Sequence, residues 1–426
     1  MHLQRTKTSC VAIALVAVSV LLFAAPQLAR AQYTETVLYS FGSQSGDGTQ
    51  PSAGVIMDKT GDLYGTTVLG GDLSCNYPVG CGTVFKLVPA GGNWTESVVY
   101  TFGTQSGDGF NPQGGSLVMS GTKLYGTTYI GGDLECFSPH GCGTVFEVTT
   151  AGTENVLYSF TSYTDGLGAI GVIREAGVLY GMTAYGGSGQ CGNAFTLVPP
   201  AKKGGSWTKT ELYDFEVGAG GDACVPGPDP IYKDGILYGT SSQGGANGNG
   251  TVFSLSATAP GPDTILYSFM GPPGDGWAPV GGPIMDSEGN IYGTTEYGGA
   301  YGSPGEATGG TVFELSAAGK ETPLFSFGGY SGDGLLPKAG LIMYKNNLYG
   351  TTYMGGANGN GTVFELLRPA KKGGAWTEKI LYSFGANSGD GRYPEAGVIM
   401  DKTGNLYGTT TAGGAYGSGT VFEITP

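Results

Sequence analysis

Short apolar runs separated by glycine-rich polar stretches fill the chain from Val37 to its end. Four such runs follow one another early on: AGVIM (53–57), LYGTT (63–67), TVFKL (83–87) and VVYTF (98–102). They are rich in Val, Ile, Tyr, Phe and Thr and bounded by Gly, Asp, Asn and Pro. That pattern predicts four short strands, A to D. Strict alternation of apolar and polar positions is weak, because LYSF and TVFKL carry large side chains on both faces. Such strands suit sheets packed on both sides. Beyond the N-terminal segment no stretch has a helical period.

The pattern recurs. LYG or IYG begins at Leu63, Leu124, Leu179, Leu237, Ile291, Leu348 and Leu406. A phrase typified by GTVFEL begins at Gly82, Gly143, Gly192, Gly250, Gly310, Gly361 and Gly419. A third, typified by LYSF, begins at Leu38, Val99, Leu157, Leu212, Leu266, Leu324 and Leu381. Each occurs seven times in constant order, with successive LYG-type and LYSF-type phrases 54–61 residues apart. Four antiparallel strands per unit, packed face to face around an axis, make an all-β, seven-bladed β-propeller. The phase adds a closure. The region after residue 31 begins with a D strand, VLYSF (37–41), and the chain given ends with a C strand, GTVFEITP (419–426). The N-terminal D strand is therefore expected to complete the last blade. An open array would leave an orphan strand at one end and an unfinished sheet at the other, both with exposed edges.

The unit AGVIMDKTGNLYGTTTAGGAYGSGTVFEI (396–424) resembles the GloVer tandem repeat of exported bacterial proteins described as choice-of-anchor. The resemblance spans nearly all of the chain after residue 31. It implies a repeat architecture and export, and it brings no activity or catalytic residues. Members of that group end in sorting signals. The sequence here stops at Pro426 without one, so free secretion or a periplasmic location is the expectation. The GVIMDKTGNLYG hairpin also resembles the A–B hairpin of NHL-type propellers.

Composition refines this picture. Arg5 and Lys7 precede an apolar run, Val11 to Ala25, and LARA offers Ala29 and Ala31 at small-residue cleavage positions. Residues 1–31 thus read as a secretory signal, with 32–426 as one propeller domain. The apolar run is too short for a comfortable membrane span. Cleavage would remove Arg5, Lys7 and Arg30 and take the net charge from −14 to −17. So acidic a chain is a poor partner for nucleic acid. A monomer is expected. Six cysteines remain after the signal, and an even number in an exported chain reads as disulfides. Local pairing predicts Cys75–Cys81 and Cys136–Cys142, with Cys191–Cys224 feasible on the same face. Zinc on Cys136, His140 and Cys142 is the alternative, and it lacks a fourth ligand.

Catalytic signatures are sparse. After the signal the single histidine is His140, which leaves no His-based triad or multi-His metal centre. No G-x-S-x-G elbow or phosphate loop is present. One acid per unit sits in the D–A loop: Asp47, Asp108, Asp165, Asp222, Asp275, Asp333 and Asp390. In the repeated SGDG these read as structural turn acids. Calcium at each is the alternative, and no other cofactor or metal is expected. Strand direction alone places the D–A and B–C loops on one face. Tyr77, Phe137, Tyr185, Tyr297, Tyr301, Tyr353 and Tyr416 lie in or beside B–C loops and are the candidate ligand-binding residues. On the opposite face Trp94, Trp207 and Trp376 sit in C–D loops beside Lys202, Lys203, Lys371 and Lys372. Hairpin staples and solubilising charge explain them; sugar stacking or an anionic partner is the alternative. The expectation is a secreted binding or scaffold module for an extracellular glycan or protein. A carbohydrate-active lyase or hydrolase using carboxylates at the channel mouth is the second expectation, and a purely structural envelope protein the third.

Overall fold

In the computed structural model, which describes residues 33–76, 78–216, 221–303 and 308–426, the repeats form seven antiparallel sheets. The expected signal segment and Tyr77 lie outside the described residues. The first blade comprises Ile56–Met57, Leu63–Thr67, Thr83–Ala90 and Asn93–Thr101, paired in the order A-B-C-D. The next five follow the same order, and in the fourth the A strand is split into Ala223–Pro226 and Ile231–Lys233. The protein is thus an all-β, seven-bladed propeller.

The last blade closes as the phase predicts. Its A, B and C strands are Ile399–Met400, Leu406–Thr410 and Thr420–Thr425, and its D strand is Thr34–Ser40. The register runs from Thr34 opposite Thr425 to Ser40 opposite Thr420, with a bulge between Val37 and Tyr39. The same irregularity marks the C–D pairing of the first blade, between Val84 and Phe85.

Phenylalanines hold the seams. The last residue of each LYSF-type phrase meets the Phe of the next blade's GTVF-type phrase. Phe41 packs on Phe85, Phe102 on Phe146, and so round the ring to Phe384 on Phe422. All seven pairs are edge-on, with centroids 5.0–5.4 Å apart. All of these rings are fully buried. Each pair is worth about 0.5–1.5 kcal/mol beyond the apolar area it hides. The LYG glycine makes room for this contact: a Cβ on Gly65 would lie 2.5 Å from the tip of Phe85.

Three details differ from the strand reading. The A strand, expected over 53–57, is regular only at Ile56–Met57. The start of the segment bonds between blades instead, where the Ala53 carbonyl accepts from the Thr409 hydroxyl of the neighbouring blade at 2.9 Å. The first D strand starts at Asn93 and not at Val98, because C and D continue as a hairpin to the turn at Gly91 and Gly92. One 3₁₀ turn, Tyr163–Asp165, replaces the usual D–A loop entering the third blade. Among the described residues no helix is long and apolar enough to cross a membrane.

Candidate functional site

Antiparallel pairing puts the D–A and B–C loops together. Gly48–Thr49 of the first D–A loop pairs with Leu69–Gly70 of the first B–C loop. Matching two-residue ladders join 109–110 to 130–131, 276–277 to 297–298, 334–335 to 354–355, and 391–392 to 412–413. One face of the ring therefore carries the acids, the disulfides and the variable glycine-rich loops.

The loop acids fold their own loops. Asp47 Oδ2 accepts hydrogen bonds from the Gly42 and Ser43 amides at 2.8 and 2.9 Å and from the Tyr39 hydroxyl at 2.9 Å. Asp108 does the same with the Gly103 amide and Tyr100, Asp275 with Met270 and Tyr267, and Asp390 with Gly385 and Tyr382. Asp222 takes the Glu216 amide and Tyr213; Asp165 takes Thr161 and Tyr158. Before Asp333 the D strand has Phe325, and this acid takes the Gly329 amide without a strand tyrosine. The Tyr of LYSF is thus the partner of the Asp of SGDG. Burial, then the bonded Asp, raises the pKa of the Tyr100 hydroxyl well above its ordinary value.

Three disulfides brace this face: Cys75–Cys81, Cys136–Cys142 and Cys191–Cys224. Cys136 and Cys142 are bonded to one another, which removes the thiolates a zinc set with His140 requires. Among the described residues no group of three or more potential metal-ligating side chains comes together.

The candidate aromatics separate into different settings. Phe137, Tyr301 and Tyr416 are exposed on outer loops; Tyr301 leans over Gly329 and Tyr416 over Gly42 of adjoining D–A loops. Tyr185 is exposed, and Tyr297 packs on Trp277 at 5.1 Å. Tyr353 stands in a charged cluster, which Tyr297 meets through Glu296. The Lys338 ammonium lies 3.9 Å above its ring and 3.7 Å from both Glu296 and Glu395, and the Tyr393 ring packs against that of Tyr353 at 5.2 Å.

Lys338 and Glu395 border a cavity of about 720 Å³ that enters the central channel from this face. Gln113, Ser116, Tyr129 and Asp229 border it too. Most of its wall is repetitive: Gly54, Gly282, Gly340 and Gly397 each sit two residues before an A-strand isoleucine. Asp229 holds that place in the fourth blade and accepts the Ser116 amide of the second blade at 3.4 Å. Burial raises the pKa of the Asp229 and Glu395 carboxyls, against the pull of Lys338 in the second case. The sequence reading missed Lys338, Glu395, Asp229 and Tyr129. Their signal was present as departures from the repeat, at the positions just after the D–A proline, before the A-strand isoleucine, and after GTT.

On the opposite face the tryptophans span blades. Trp94 packs edge-on against Tyr407 of the last blade at 6.2 Å, and Trp207 against Tyr125 of the second at 6.4 Å.

The family profile described as the Gloeobacter/Verrucomicrobia repeat matches residues 26–227 and again 225–426. No curated protein matches the chain. Among solved structures, a Bacteroides uniformis protein described as a candidate 6-phosphogluconolactonase is similar at 11% identity and TM-score 0.48, over 79% of this chain and 86% of that one. A Thermus thermophilus protein described as a candidate glucose dehydrogenase is similar at 13% identity and TM-score 0.40, over 92% of this chain and all of that one. Neither likeness bears on activity.

Proposed function

The chain belongs to the Gloeobacter/Verrucomicrobia repeat family, and we propose that this member is a binding module that works outside the cytoplasm and takes an extracellular glycan at the mouth of its channel. The observation that carries the reading is the break in symmetry. Structural residues obey the sevenfold repeat, whereas Lys338, Glu395, Asp229 and Tyr129 depart from it and line one cavity. The chemistry suits a sugar: the Tyr129 ring for stacking, with carboxylate, ammonium and amide groups for hydroxyls. Three disulfides on the same face suit an oxidising compartment.

The test is a glycan array followed by titration of a bound sugar. A Lys338→Ala/Tyr353→Ala variant is expected to bind at least ~10-fold more weakly, the loss of a central contact cluster. A Tyr301→Ala/Tyr416→Ala variant on the outer loops is expected to bind as the wild type does. Wild-type protein that retains no glycan, or outer-loop changes that weaken binding as much as the channel changes, would remove the reading. One observation favours a second reading, a carbohydrate-active hydrolase or lyase: the Asp229 and Glu395 carboxyls border the same cavity and both have raised pKa values. Turnover of a polysaccharide panel that disappears in Asp229→Asn would favour it over simple binding.

A further inference from the structure

Each D strand carries, or in the fourth blade is directly preceded by, a second charged side chain four residues before its LYSF-type aromatic. In six blades it is an acid: Glu35, Glu96, Glu154, Asp263, Glu321 and Glu378. In the third blade it is Lys209. There the geometry is explicit. The Lys209 ammonium is 2.7 Å from Asp165 Oδ1, the loop acid entering the same blade, and lies over the rings of Tyr158, Phe160 and Phe195. This strand position therefore reaches the loop acid inside an aromatic-walled seam between blades.

In the other six blades an acid occupies the position of that ammonium, so two carboxyls meet where one blade has an ion pair. Asp47, Asp333 and Asp390 are more than nine-tenths buried, and the Oδ1 atom of each has no hydrogen-bond partner. The strand acids facing them have matching orphans: Glu96 Oε1, Glu378 Oε1 and Glu35 Oε1. Asp222 Oδ1 and Asp263 Oδ2 repeat the pattern in the fourth blade. In the second and fifth blades the loop acid's Oδ1 takes the next amide, Gly109 to Asp108 at 2.8 Å and Gly276 to Asp275 at 2.7 Å, and of the strand acids there Glu154 keeps an unpartnered Oε1. Two buried acceptors without a donor between them are costly. A carboxyl group becomes a donor in only one way, by holding a proton.

We propose that the six blade seams are proton-loaded: each strand acid takes one proton from solvent and donates it to the facing loop Asp, doing for its blade what Lys209 does for the third. The other groups facing the strand acids are tyrosine hydroxyls, already engaged with the loop acids or, for Tyr330, with Glu378 itself. Among the described residues no Lys or Arg pairs with any of the six. A metal ion is poorly served, since each pair offers two carboxylates where calcium wants six to eight oxygens.

Titration follows the same division. Burial, then the facing Asp, pushes Glu35, Glu96 and Glu154 up to about 7 and Glu321 up to about 8. Asp263 and Glu378 also rise to about 7. Asp165 goes the other way: burial alone would raise it, but Lys209 holds it below the usual range. For the six acids the folded pKa exceeds the unfolded one, so folding takes up protons. The stability they lend is complete below about pH 4.5, declines as pH rises toward the folded values, and is gone above about pH 8.

The experiment compares wild type with a Glu96→Gln/Glu154→Gln/Glu378→Gln variant, following melting temperature from pH 5 to pH 9, and records the infrared carbonyl band of protonated carboxylic acid in the wild type. Glutamine supplies its donor at every pH. Wild type is expected to lose melting temperature as pH rises, the variant markedly less, and the acid band is expected to persist near pH 6 and fade by pH 9. A pH-independent wild-type melting temperature, or no acid band near pH 6, would overturn the proposal. So would a wild-type loss at pH 8 that calcium chloride reverses and chelator restores, which would assign the seams to a cation. The absence of an acid band overturns the proposal with wild-type protein alone, even where the variant does not fold; a band that weakens in the variant by the share of its three glutamines assigns it to the seams and not to Asp229 or Glu395.

Discussion

Removing residues 33–42 is expected to abolish cooperative unfolding of the ring. That segment supplies the whole D strand of the last blade and pairs with Thr420–Thr425 over its length. It also carries Leu38 and Phe41, which are buried in the seam with Phe85, Leu87 and Val421 of both flanking blades. Without it Thr420–Thr425 becomes an open edge, and the seventh seam loses its phenylalanine pair. Phe41→Ala measures the seam by itself and is expected to cost about 3–5 kcal/mol, the usual range for deleting a fully buried Phe. Thermal melts followed by circular dichroism read both changes. A truncated protein with the wild-type melting temperature would show that the last blade stands without its borrowed strand.

Gly48→Ala is expected to destabilise the protein by roughly 3 kcal/mol, and Gly46→Ala, two residues earlier in the same SGDG, by only about 1 kcal/mol. The two glycines serve different ends. Gly46 has φ +85° with open space around it, so alanine there meets only backbone strain. Gly48 has no such dihedral, but its Cβ would lie 2.3 Å from Thr67 Oγ1 and 2.7 Å from Thr83 Oγ1. Those hydroxyls bond one another at 2.8 Å in a fully buried site, and the Thr83 amide donates to Thr67 Oγ1 at 3.1 Å. An alanine must part them or move the loop. Chemical denaturation of the two variants side by side separates space from dihedral. Equal losses would mean that the close approach to Thr67 and Thr83 does not govern the second position.

Ring closure was legible because strand count and phase are properties of order, and order survives in a sequence. Asp47 and its six counterparts were legible as turn acids, since an Asp flanked by glycines binds backbone amides close by in the chain. Their tyrosine partners were not singled out: Tyr39 and Asp47 are eight residues apart, and nothing in LYSF says which way its ring points. The D-strand bulge was equally hidden, because one extra residue on one strand leaves no compositional mark. Among the described candidate aromatics Tyr353 alone has its ring under the Lys338 ammonium. The sequence placed it with six others on one face, and distance from the axis is not encoded locally. Lys338 and Glu395 were overlooked because they were read one unit at a time. They stand out only when the seven units are laid over one another and the departures asked where they meet.

Repetition in the chain determined the unit, the strand order, the blade number and the borrowed strand, because each unit must bury both faces of its sheet and can do so only against another unit. The tertiary structure decided what happens between units. Phe41 finds Phe85, Lys338 lies between Glu296 and Glu395, and Lys209 stands where six other blades place an acid. These contacts join residues 42 to 57 positions apart in the chain. They depend on curvature, seam width and burial, which are set by the closed ring as a whole and by no single repeat.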